Sequence, residues 1–299
     1  MKSEKNDERK AEKRGSMIYE IRRGDGNYPE LLEHIDRPPD ILYGTGDAGV
    51  LKKRCVAVVG ARRATTYGKW VSYQIGRRLA EYGLTVVSGM AYGCDAEAHR
   101  GALEAGGTTA AVLGCGVDIC YPASNAALRR RIAERGLILS EYEPGTPPRP
   151  YRFPQRNRII SGICEAVVIA EAGLSSGSLI TAEYAAEQGR RVFAVPGSIS
   201  APGSLGCNKL IQDGAELVAV IDDILSGLGV AEEKERPKAV SVLGKDERKI
   251  YETVRENGEV TADFIARTLG KSVTEINAAV GVLEIKGLLV TSAGKIFIM

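Results

Sequence analysis

Histidine is nearly missing from this chain. His34 and His99 are the only two in 299 residues, so a histidine metal cluster has little to draw on. No CxxC pair occurs either. The six cysteines stand at 55, 94, 115, 120, 164 and 207, four of them in or beside apolar strand-like runs. That pattern fits reduced, buried thiols rather than a metal or redox site. No apolar run reaches the roughly 18 residues that span a bilayer. The first 16 residues, ten of them charged, lack the apolar core of a secretory leader. A cytoplasmic protein with no membrane contact is expected, with neither metal nor cofactor. The net charge is only +2, so any affinity for a polyanion must come from local clustering.

What is present is a rhythm. From Arg54 onward, β-branched apolar runs recur at CVAVVGA, LTVVSGM, TTAAVLG, LILSEY, AVVIAEA, RVFAVPG and ELVAVID. Amphipathic stretches such as YGKWVSYQIGRRLAEYG and SLITAEYAAEQG separate them. Continuous apolar strands alternating with helices predict an α/β domain, an extended Rossmann-like, doubly wound, mostly parallel sheet covered on both faces. Residues 28–47 predict a short helix and a strand-like piece packed on that domain. The expected organisation is a disordered charged tail at 1–16, the Rossmann-like domain at 17–230, a charged linker at 231–242, and a small domain at 243–299. Three short amphipathic helices followed by a ribbon turning at Ala293-Gly294 give that last domain a winged-helix plan, with Val273, Ile276, Val280 and Leu283 as a core stripe.

Ligands of such sheets bind at the carboxyl ends of the strands. After the first strand, GARRATTYG puts Arg62 where a dinucleotide fingerprint needs its second glycine, which argues against NAD or FAD. Gly60 remains for a tight turn. Arg62 is able to fork a phosphate, unless it and Arg63 are merely solvated. Ser88, Gly89 and Gly114 offer donors in the next two loops, and Asp95 has the look of a helix N-cap. His99, without a partner nearby in sequence, is read as structural. After the fifth strand, Ser176, Gly177 and Ser178 crowd a helix N-terminus, a setting for phosphate capture. Lys209 is expected near the start of the helix that follows PGSISAPGSLG.

The densest basic stretch is RPYRFPQRNRIISG. From Pro144 to Cys164 there are four arginines (Arg149, Arg152, Arg156, Arg158) and no acid. Asn157 adds an amide, and Tyr151 and Phe153 add rings. It offers neither a nucleophile with its base nor a metal set. Charge interleaved with aromatics suits a single-stranded nucleic acid, although Phe153 could equally be core.

Taken in order, VAVVGARRATTYG, VVSGMAYGCDAEAH, VLGCGVDICYPASN, FPQRNRIISG, VVIAEAGLSSGSLITAEYAAEQGRRVFAVPG and SLGCNKLIQDGA resemble the DprA (Smf) family of bacterial DNA-processing proteins of natural transformation. The likeness covers roughly residues 28–225. It implies a competence protein that binds and protects single-stranded DNA without catalysis, forms homodimers and loads RecA recombinase on the strand. It places DNA contacts at Arg62, Arg149, Arg152, Phe153, Arg156 and Arg158. The lysine that members often carry after YP is Ala123 here, a contact that is either weakened or taken over by Arg129. The alternatives are a nucleotide phosphoribohydrolase-like enzyme with Glu183 as its carboxylate, or a nucleotide sensor using the same phosphate pocket. Residues 243–299 carry eight basic and eight acidic groups, which predicts weak duplex binding and an auxiliary or protein-contact role.

Overall fold

A computed structural model of the chain describes residues 17–230 and 243–298, apart from 287 and 293. The expected tail at 1–16 and linker at 231–242 lie outside the described residues. Contacts divide the chain into two compact units, Met1–Val230 and Ala231–Met299.

The first unit is built on a nine-stranded sheet. Its strands are β1 (Tyr19–Arg22), β2 (Ile41–Gly46), β3 (Cys55–Val59), β4 (Thr85–Ser88), β5 (Thr109–Val112), β6 (Leu137–Ser140), β7 (Ala166–Ile169), β8 (Arg191–Ala194) and β9 (Glu216–Leu217). They run in the order β1-β2-β6-β5-β4-β3-β7-β8-β9. All seven strands expected from the apolar runs form, and they pair in parallel from β6 through to β9. Every residue of β3 to β7 is buried, which is why those runs show no polar alternation. Residues 28–47 do more than pack on the sheet. Their second half becomes β2, antiparallel to β6, and β1 pairs antiparallel with β2 at the sheet's edge.

The helices of this unit are α1 (Glu30–Glu33), α2 (Thr66–Glu81), α3 (Cys94–Glu104), α4 (Ala126–Arg135), α5 (Arg152–Ile163), α6 (Gly177–Glu187), α7 (Leu205–Gln212) and α8 (Asp222–Gly227). One core layer sets Ile159, Ile160 and Ile163 of α5 and Ala182 and Ala185 of α6 against the sheet. The other sets Val71, Ile75 and Leu79 of α2 and Ala98 and Ala102 of α3 against its opposite face. Chain order moves outward from β3 through β4 and β5 to β6, then returns to β7 on β3's other side. The loops after β3 and β7 therefore part company. That divergence is the crevice where sheets of this kind hold ligands.

The second unit has α9 (Lys245–Asn257), β10 (Val260–Thr261), α10 (Ala262–Leu269), α11 (Val273–Ile285), β11 (Leu289–Ser292) and β12 (Lys295–Ile298). The three strands pair antiparallel in the order β10-β12-β11, one strand more than the expected ribbon. Ile276, Val280 and Leu283 are buried as the stripe required. Val273 is not: as the first residue of α11 it stands 39% exposed.

Candidate nucleic-acid interface

A cleft of about 520 Å³ opens where the loops after β3 and β7 diverge. Gly60, Arg62 and Arg63 line one side, Ser175 to Ser178 the other, and Phe153, Arg156 and Asn157 of α5 close the end. Each group arrives for a local reason. Gly60 makes the turn after β3, where a Cβ would stand 2.6 Å from the Cys94 sulfur and 2.9 Å from the Glu171 carbonyl. The buried Glu171 carboxylate accepts from the Thr65 amide at 3.0 Å and from the Thr65 hydroxyl. Thr65 in turn caps α2, so this acid at the end of β7 fixes the loop that carries Arg62.

The floor is a charge clamp. Arg156 is 4% exposed. Its Nη1 donates to the Gly89 carbonyl at 3.1 Å and to the Val112 carbonyl, and its Nε donates to Asn157 Oδ1 at 3.2 Å. Asp95 Oδ2 accepts from the Gly89 and Ala91 amides at 3.2 and 3.3 Å. Gly89 is thus held on both sides, through its amide by Asp95 and through its carbonyl by Arg156. A Cβ on Gly89 would lie 2.4 Å from the Arg156 guanidinium. Met90, next in the chain, is held at φ +55°, a conformation costing about 1–3 kcal/mol. The Asn125 amide bond to its carbonyl, at 3.0 Å, helps to fix it. Burial lowers the Arg156 pKa to about 10, and the neighbouring Asp95 charge opposes that fall. Burial likewise raises Asp95 against the pull of Arg156.

The rim is aromatic and cationic. The Arg62 guanidinium sits 5.0 Å over the Phe153 ring. Tyr121 stacks on the same residue, ring centres 5.3 Å apart and planes 24° apart. Phe153 packs on Gly114, where a Cβ would meet the ring at 2.9 Å. It is therefore neither pure core nor a free platform but the middle of a half-exposed stack. Across the cleft, α6 begins with Ser176 as N-cap, its hydroxyl accepting from the Ser178 amide and meeting the Ser178 hydroxyl at 2.8 Å. Asn157 Nδ2 donates to the Gly177 carbonyl at 3.3 Å and ties α5 to that helix start.

Several expected contacts lie elsewhere. Arg156 lines the cleft with Nε and Nη1 already donating to an amide oxygen and two carbonyls, which leaves Nη2 as the part of its fork that could face a phosphate. Arg158 is turned away by about 200° of helix and makes a two-point ion pair with Glu141 at 2.6 and 3.3 Å. Ser88 donates to the Val58 carbonyl at 2.6 Å and is fully buried. Lys209 sits in the last turn of α7, not its first, and pairs with Asp213 at 2.8 Å. Arg129 donates through Nη2 to the Val117 carbonyl. Asp95 is inside α3, whose N-cap is Gly93. Arg149 is exposed, and Arg152 is stacked between tyrosines. His99 is buried with Nδ1 on the Thr109 hydroxyl at 2.6 Å, the structural role its sequence context suggested. The reading from sequence missed the part played by Tyr121 and Glu171. An exposed aromatic beside a proline and an acid closing an apolar strand were the available signals.

Fold and cleft together define a Rossmann-like protein with a basic, aromatic-rimmed groove at its switch point. The family model for DNA recombination-mediator protein A matches residues 20–229. The chain belongs to this family. It is 46% identical to DNA processing protein DprA of Streptococcus pneumoniae over 68% of this chain and 71% of that one. The solved structure of the S. pneumoniae protein superposes with a TM-score of 0.67, at 43% identity, over 72% of this chain and 76% of that one. DNA processing protein A from Helicobacter pylori, solved to describe its single-stranded DNA binding mode, gives 0.66 at 31% identity over 73% and 98%. The chain spans from 52% to 73% of the length of the curated relatives it matches.

Proposed function

We propose that the cleft binds single-stranded DNA without catalysis, and that the protein works in the cytoplasm as a recombination mediator in natural transformation. In this reading it is a homodimer that protects the incoming strand and loads RecA recombinase on it. The observation that carries the reading is the Arg62–Phe153–Tyr121 stack facing the capped start of α6. One wall offers a cation and base-sized rings, and the other offers the positive end of a helix, suited to a phosphate. An enzyme reading has less support. Among the described residues that line the cleft, Asp95 is the sole carboxylate, and backbone amides occupy it. Glu183 is exposed on α6 and does not line the cleft.

The C-terminal unit's helices and antiparallel strands support a winged-helix reading. Its balanced charges argue for a protein contact rather than duplex binding. Lys286, at the end of α11, is engaged by Glu247 at 2.7 Å.

The test is fluorescence anisotropy of a labelled single strand across a salt series, with matched duplex and AMP as competitors. The log–log slope should flatten by about 0.7 on Arg62→Ala, one phosphate's share. Phe153→Ala should weaken binding by about 1–3 kcal/mol with the slope intact. Displacement by a small excess of AMP would favour the nucleotide-sensor reading, since a cleft of this volume is also nucleotide-sized.

A further inference from the structure

A second aromatic–cation cluster stands beside the first, and nothing in the cleft uses it. The Arg152 guanidinium lies 4.8 Å over the Tyr142 ring and 5.7 Å over the Tyr151 ring. It also donates to the Pro147 carbonyl. Arg152 is therefore spent on holding two rings. Tyr151 remains 59% exposed. Its hydroxyl and ring make no capping bond to the helix it precedes.

The sheet gives this cluster a direction. Arg62 rises from the loop after β3, Tyr121 from the loop after β5, and Tyr142 from the loop after β6. Neighbouring strands are spaced about 4.8 Å apart, so the three steps from β3 to β6 make a track of about 14 Å along one edge of the sheet, room for a few nucleotides. Charge on that path is mixed, because Glu143 and Asp118 are exposed beside it. Arg149 is exposed next to Tyr151, and the nearby Glu141 is already occupied by Arg158. On the other flank Lys209 is neutralised by Asp213, and Glu183 and Glu187 are exposed.

We infer that Tyr151, held by Arg152 against Tyr142, is a second base-stacking station, and that a bound strand leaves the cleft over β5 and β6 rather than over β8 and β9. This deepens the single-strand reading of the cleft and rests on it. Arg152 acts here as a positioning residue, not as a phosphate fork.

The experiment compares thymidine oligomers of about four and about twelve nucleotides on wild type, Tyr151→Ala, Tyr151→Phe and Arg152→Ala. With the longer oligomer, Tyr151→Ala should bind roughly 5- to 100-fold more weakly with an unchanged salt slope. Tyr151→Phe should keep wild-type affinity. Binding of the shorter oligomer should be unaffected by all three changes. Arg152→Ala should weaken the longer oligomer as Tyr151→Ala does, and the two changes together should cost no more than either alone. Wild-type affinity of Tyr151→Ala for the longer oligomer would overturn the second station while leaving the cleft reading in place. Failure of the wild type to bind either oligomer would overturn both readings.

Discussion

Arg156 and Arg62 belong to one basic cluster yet have opposite duties. Arg156 is the counter-charge for buried Asp95 and the clasp on Gly89. Arg156→Ala should cost roughly 3–5 kcal/mol, because it strands a carboxylate in the interior. Urea unfolding measures that loss, and a change below about 0.5 kcal/mol would contradict the clamp. Arg62→Ala should leave stability within about 0.5 kcal/mol of wild type while changing the salt slope of DNA binding. His99 supplies a pH signature. Burial, reinforced by Arg156 and Arg100, lowers its pKa to about 3. The unfolded chain, with an ordinary histidine near 6.5, then binds a proton that the folded chain refuses. This term is fully favourable above pH 6.5 and is lost as pH falls towards 3, by up to about 1.4 kcal/mol per unit. His99→Leu should therefore lose less stability than wild type between pH 7 and pH 5. Parallel losses in the two proteins would show that His99 does not titrate this way.

At the scale of elements, α5 divides its arginines between two jobs by helical geometry. Arg156 points under the cleft and Arg158 towards Glu141, on the loop after β6. Each of their side chains is largely withdrawn from water, so the pair with Glu141 anchors the helix more than a surface bridge would. Arg158→Ala should lower the melting temperature and leave the salt slope of DNA binding at its wild-type value. A slope flatter by about 0.7 would instead return Arg158 to the phosphate contacts. The same logic runs through the β7–α6 connection. Glu171 braces the Arg62 loop from below, while Ser176 caps the facing helix. Both walls of the cleft are thus set by two ends of a single segment.

For the whole molecule, a net charge of +2 gives little long-range steering, and the basic groups that matter are gathered on one sheet edge. Matched duplex should then compete weakly for the 299-residue chain. Equal competition by duplex and single strand would show that the electrically balanced C-terminal unit reads DNA after all. The sequence by itself determined the parallel sheet, because strands buried on both faces must be continuously apolar. It also pointed to the carboxyl-edge loops that line the cleft, whose glycines, arginines and aromatics were legible at once. Only the tertiary structure decided which arginines are free. Sequence records that Arg62, Arg156, Arg158 and Lys209 are cations, but their partners (a ring, the Gly89 and Val112 carbonyls, Glu141 and Asp213) come from other elements for the first three and from one turn along the helix for Lys209. A charge is available to a ligand only when folding has left it without a nearer partner, and those partners are assigned by packing over long stretches of chain.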